Sequence, residues 1–154
     1  MISGGQTGVD RAALDAALAA GIPVGGWCPE GRKAEDGIIP GKYPVKELPG
    51  GDYRERTRQN VLGSDGTVII HFGTLSGGTR ETKLFCEDAK KPYLLIDAST
   101  MPVDQAAAEM TAFVGKSGIV VLNVAGPRAS KEPRAYEYTY ATLAAFLRNE
   151  GPGR

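Results

Sequence analysis

Net charge, cysteine, histidine and long apolar runs are what this sequence has least of, and each shortage removes a class of function. Lysine plus arginine equals aspartate plus glutamate, at 18 each over 154 residues. No overall field therefore draws the chain to nucleic acid or an anionic membrane, and any anion binding has to be local. Only two cysteines occur, Cys28 and Cys86, so no disulfide is expected. With an N-terminal stretch lacking the basic and long apolar segments of a signal peptide, this points to a reducing cytoplasm. His71 is the single histidine, which excludes a multi-histidine zinc site and reads as a buried imidazole ending a strand. No apolar run approaches the roughly 20 residues that cross a bilayer, so a soluble protein is expected. The Gly-Lys-Ser or Gly-Lys-Thr of a P-loop and the G-x-S-x-G of a nucleophile elbow are also missing.

Glycine is in excess: 21 residues, without the period of collagen or the low complexity of a linker. Between the glycine clusters, short β-rich runs alternate with helical patterns, which argues for an α/β fold, a parallel sheet wrapped by helices, in one domain over residues 1–154. Strands are expected at 2–3, 23–27, 66–72, 93–97 and 119–124. The near-continuous apolar runs in the third and fifth suit strands covered on both faces. A first helix over about 9–20 is alanine-rich and stops at Gly21. Val103, Ala106, Ala107, Met110, Phe113 and Val114 form one helical stripe, and Tyr136, Tyr140, Leu143, Ala144 and Leu147 another. A charged helix over about 53–62 is expected to show one face to water. The proline- and glycine-dense stretch 28–52 is too long for a plain connection and reads as a functional or mobile loop. The final Gly-Pro-Gly-Arg reads as a frayed tail.

In a parallel sheet the strands end on one edge, so three loops open onto a common crevice. The first is "SGGQTGVD", with Gly4, Gly5, Gln6, Thr7, Gly8 and Asp10. Its glycines admit a tight turn, and the helix that follows presents unpaired amides and partial positive charge to a phosphate. Thr7 and Asp10 resemble an N-cap and its partner, placing the helix start near Gly8. The dinucleotide pattern G-x-G-x-x-G is broken by Ser3, so the turn reads either as an anion cradle or as mere helix packing. The second loop, "GTLSGGTRET", again leads from a strand into a helix. Thr74, Ser76, Gly77, Gly78 and Thr79 supply hydroxyls and amides for phosphate oxygens or simply cap the helix. The third contains Asn123, Gly126 and Arg128, with Ser130, Lys131 and Arg134 beyond; Arg128 is either a bidentate phosphate ligand or a solvated loop cation.

These three segments, with the Cys-Pro-x-Gly that follows the first, resemble the molybdenum cofactor carrier family, and the resemblance runs nearly the full length of the chain. It implies a Rossmann-like, three-layer fold with a mostly parallel sheet of five or more strands and helices on both faces. It also implies a homodimer or homotetramer and a carried ligand, the molybdenum cofactor (molybdopterin), whose phosphate would sit among Gly5 to Gly8 and Gly77 to Thr79. The residues themselves reach only a phosphorylated small molecule, with a nucleotide as the alternative ligand. Related phosphoribohydrolases carry Pro-Gly-Gly-x-Gly-Thr-x-x-Glu. Here Ser76 replaces the proline and Glu81 comes one residue early, turned about 100° around a helix. Glu81 is therefore read as helix-start electrostatics rather than a catalyst. Nucleoside-monophosphate hydrolysis and nucleotide sensing stand as the rival functions.

Cys28 is either a metal ligand at the crevice or a small packed residue, and Trp27 either a stacking platform or core. Asp10 and Asp15 are candidates for a magnesium ion or a ligand amine, with Asp15 expected to point away along its helix. Arg32 and Lys33 either close over an anion or keep their loop wet.

Overall fold

The structure, a computed structural model, describes residues 1–150, so the expected tail lies outside the described residues. Three strands form the centre. β5 (Gly66–His71) lies between β6 (Tyr93–Asp97) and β7 (Leu122–Ala125), all parallel. Val68, Ile69 and Ile70 in the middle of β5 are fully buried, as a strand with helices on both faces requires.

Helices α1 (Val9–Ala19), α4 (Val103–Ser117) and α5 (Ala135–Asn149) share one core with Val68 and Ile70. Helices α2 (Tyr53–Leu62) and α3 (Gly77–Ala89) pack on each other, with α3 also on β5. The α4 stripe is seated as its period predicts, through Ala106, Ala107 and Met110. On α5 the buried face is rotated from the expected one. Thr139 and Thr142 are fully buried while Tyr136 is partly exposed, because the Tyr136 hydroxyl reaches out to donate to Asp15 at 2.5 Å. Asp15 also accepts from the Tyr43 hydroxyl at 2.6 Å.

The expected single sheet of five or more strands is not confirmed. At the positions read as strands 2–3 and 23–27 there are isolated parallel bridges from Ile2 to Gly25 and to Asn123. The true strand β1 starts later, at Trp27–Pro29. The last strand also begins later than its apolar run, since Asp65 accepts the amides of Val120 and Val121 at 3.0 and 2.7 Å and turns that stretch away.

The 28–52 stretch holds three further strands. β2 (Lys33–Ala34) and β3 (Gly37–Ile38) form a small antiparallel hairpin, and β4 (Lys46–Leu48) pairs parallel to β1. Arg32 fastens this segment: its guanidinium donates to the carbonyls of Ile39, Val45, Pro40 and Tyr43 at 2.8–3.1 Å. That is an internal staple, not a group free to close over an anion. Under it, Leu14, Cys28, Ala34, Ile39, Tyr43 and Val45 make a second core.

Candidate functional site

Beyond the C-terminal ends of β5 and β7, a cleft of about 370 Å³ opens between α2, α3 and the loop after β7, where open parallel sheets place their ligands. Of the residues singled out by sequence, Gly4, Gln6, Asp10, Thr74, Ser76, Gly78, Thr79, Glu81, Asn123, Gly126 and Arg128 line it. Gly5, Thr7, Gly8 and Gly77 do not.

The two glycine turns differ in what their amides meet. At the tip of α1 the protein's own groups take three of the donors. The Gln6 amide donates to Asp10 Oδ2 at 3.3 Å, Thr7 to Gln6 Oε1 at 3.0 Å and Val9 to the Pro127 carbonyl at 3.2 Å. Gly8 is the N-cap, without a side-chain cap; the expected capping pair is displaced because Thr7 turns outward. Its hydroxyl bonds Glu35 and accepts from the Ala129 amide at 3.1 Å. Glu35 also accepts from Ser130 at 3.1 Å and lies 3.5 Å from Arg128 Nε. Bonds from Ser130 and Thr7 hold the Glu35 carboxyl below its ordinary range. The β2–β3 hairpin thus stoppers this turn with a carboxylate, at the place where an anion was expected.

At α3 the donors stay open. Ser76 is the N-cap with no side-chain cap bond, and the first bond back into the helix is from Arg80 to the Ser76 carbonyl. Among the described residues no hydrogen bond engages the amides of Gly77, Gly78 or Thr79. Lys131 stands beside them, its Nζ 2.9 Å from where a Cβ on Gly77 would lie. No carboxylate among the described residues pairs with it. An ammonium against the positive end of a helix is unfavourable until an anion lies between them.

The cleft floor is built on a buried ion pair absent from the sequence reading. Arg56 Nη1 of α2 lies 2.7 Å from Asp10 Oδ2 of α1, the two side chains 12% and 6% exposed. Burial pushes the Asp10 carboxyl up, and Arg56 pulls the other way. Gly4 is required here by space: a Cβ on it would come within 1.3 Å of Arg56 Nη1. Nearby, Asn60 exchanges two hydrogen bonds with the Trp27 backbone, at 2.8 and 3.0 Å, docking α2 on β1. Glu81 is held at 2.6 Å by Arg54, which also covers the Phe85 ring. Cys28 lies in the second core rather than in the cleft, and its burial pushes the thiol up. Among the described residues no cluster of His, Cys, Asp and Glu is arranged to hold a metal ion.

The rim turn after β5 is fixed by Asp97, which accepts from the Gly73 and Ser99 amides at 3.0 Å and from the Ser99 hydroxyl at 2.5 Å. His71, partly exposed at this rim, donates Nδ1–H to the Gly73 carbonyl at 2.7 Å. The three bonds to Asp97 lower its pKa from 3.8 to about 2. With the folded-state value depressed, its contribution is complete above about pH 4 and is lost as the pH falls through about 2. Thermal unfolding of wild type and Asp97→Asn should therefore differ at pH 5, and the difference should close between pH 4 and pH 2. A constant difference across that window would show that the carboxylate does not order the rim.

Sequence and structure comparisons agree with this frame. The model of the circularly permutated YpsA SLOG family matches residues 1–147. The chain is similar to a solved structure of a "Putative molybdenum carrier protein" from Syntrophus aciditrophicus SB, at 50% identity, with a TM-score of 0.93 over 95% of this chain and 92% of that one. No curated protein matches the sequence.

Proposed function

We propose, from the premise that this chain belongs to the circularly permutated YpsA SLOG family, that it binds and carries a phosphorylated small molecule, with molybdenum cofactor as its cargo. The phosphate would rest on the open amides of Gly77, Gly78 and Thr79, with Lys131 as counter-charge. One observation carries this reading: an ammonium without an ion-pair partner set against an uncapped helix start, at the mouth of a cleft. The likeness to a protein named as a molybdenum carrier supports the choice of cargo. The described residues set no thiolate in the cleft, so the cargo would bring its metal already held by its own sulfurs. Glu81, tied to Arg54, gives the hydrolytic alternative no support.

Titration calorimetry with a monophosphorylated pterin, and with ribose 5-phosphate as the base-free control, tests the cradle. Lys131→Gln should weaken both about 10- to 100-fold, as loss of a charge-assisted bond does, and added salt should weaken the wild type towards the variant. Equal affinities for wild type and variant would overturn the assignment.

A further inference from the structure

Gln6, Asp10 and Asn123 line the cleft at 7%, 5% and 2% exposure, and each engages the fold with only part of its polar capacity. Gln6 Oε1 accepts from the Thr7 and Glu35 amides at 3.0 and 2.9 Å. Because both partners are donors, this atom must be the oxygen, and the amide nitrogen Nε2 faces elsewhere. No bond to Nε2 exists among the described residues. Asp10 Oδ2 takes both the Gln6 amide and Arg56, leaving Oδ1 without a donor. Asn123 Nδ2 donates to the Thr67 hydroxyl at 3.2 Å, and no bond among the described residues engages Asn123 Oδ1. None of these three atoms is sealed in the core; the sealed unpartnered side-chain atoms among the described residues are the hydroxyls of Thr139 and Thr142.

An unmatched donor or acceptor at the wall of a cleft is one that a ligand engages in place of water, which is how a few placed polar groups fix a ligand's orientation. The cleft floor therefore offers one donor and two acceptors. The complementary partner offers one acceptor and two donors. An adenine edge, with one amino donor beside a ring nitrogen, leaves an acceptor unfilled. A 2-amino-4-oxopyrimidine edge supplies the full set: the 4-oxo oxygen for Gln6 Nε2, and the ring N–H and 2-amino group for Asp10 Oδ1 and Asn123 Oδ1.

We infer that the floor of this cleft selects ligands by a 2-amino-4-oxopyrimidine edge, the chemistry shared by guanine and pterin. This rests on the ligand site of the proposed function and adds the ring that the site admits. The Arg56 guanidinium positions Asp10 for this role by holding its other oxygen.

The test uses wild-type protein and ligand pairs that differ only in the amino group: guanosine against inosine, and pterin against lumazine, each also as its phosphorylated form. A site built around a hydrogen bond rejects the analogue that lacks it, so the amino member of at least one pair should bind about tenfold tighter or better. Which pair shows the preference identifies the source, nucleotide or pterin. Asp10→Asn should reduce it to about threefold or less, since one acceptor becomes ambiguous. The wild-type pairs decide the matter even where that variant folds poorly. Equal binding within both pairs, binding of neither pair in either form, or ribose 5-phosphate binding as tightly as both guanosine monophosphate and the phosphorylated pterin would overturn the inference. The unphosphorylated pairs do not touch the phosphate cradle and ribose 5-phosphate carries no ring edge, so the two assignments fail separately.

Discussion

Arg56→Met is expected to destabilise the fold by about 3–5 kcal/mol, the usual consequence of removing one member of a buried ion pair. Asp10 would be left nearly inaccessible with the Gln6 amide as its remaining donor. Its carboxyl already lies above the ordinary range through burial, and without Arg56 it rises further. A group whose folded-state pKa is raised favours the fold below its unfolded value and loses that contribution as the pH climbs through the folded one. The penalty should accordingly be largest at neutral and alkaline pH and shrink towards pH 4. Urea unfolding at pH 5 and pH 8 measures it. Gly4→Ala should produce much the same loss by a different route, because a methyl there occupies the guanidinium's position. In the double variant the two losses should overlap rather than add, as expected of residues acting through one interaction. A loss under about 1 kcal/mol for Arg56→Met, or full additivity with Gly4→Ala, would mean that the pair contributes little.

Local pattern made much of this legible in the sequence. The alanine-rich α1, the apolar core of β5 and the α4 stripe all follow from composition over a dozen residues or fewer. Asp10 and Asn123 were reachable as candidates because they flank glycine turns at strand ends. Arg56 was not. Its helix has no apolar stripe and reads as a solvated face, and the partner that explains its burial lies 46 residues away, across the glycine turn. Lys131 was seen only as one polar residue of a loop, since its significance is its distance from Gly77. The stopper on the first turn was hidden for the same reason. Glu35 belongs to a stretch whose glycines and prolines suggest mobility, whereas Arg32 fixes it through four carbonyls that no periodicity records.

Gly8→Ala should be among the most damaging single-methyl additions in the chain, on the order of 3–5 kcal/mol, from two separate penalties of about 1–3 kcal/mol each. The first is conformational: Gly8 sits at φ 79° and ψ −127°, a region that L side chains scarcely enter. The second is steric: the new Cβ would lie 2.5 Å from the Pro127 carbonyl oxygen and 2.8 Å from the Ala129 nitrogen, and backbone cannot swing aside as a side-chain tip can. Gly21→Ala separates the two, because Gly21 also has a positive φ, 71°, but nothing within 4 Å of its Cβ position. It should cost only about 1–2 kcal/mol. The excess at Gly8 then measures how tightly the loop after β7 is pressed on the start of α1. That loop carries Arg128 and Lys131, so displacing it should also weaken binding of ribose 5-phosphate, whereas Gly21→Ala should leave binding unchanged. Equal destabilisation by the two variants would show that the contact is slack and that Lys131 owes its place beside Gly77 to something other than Gly8.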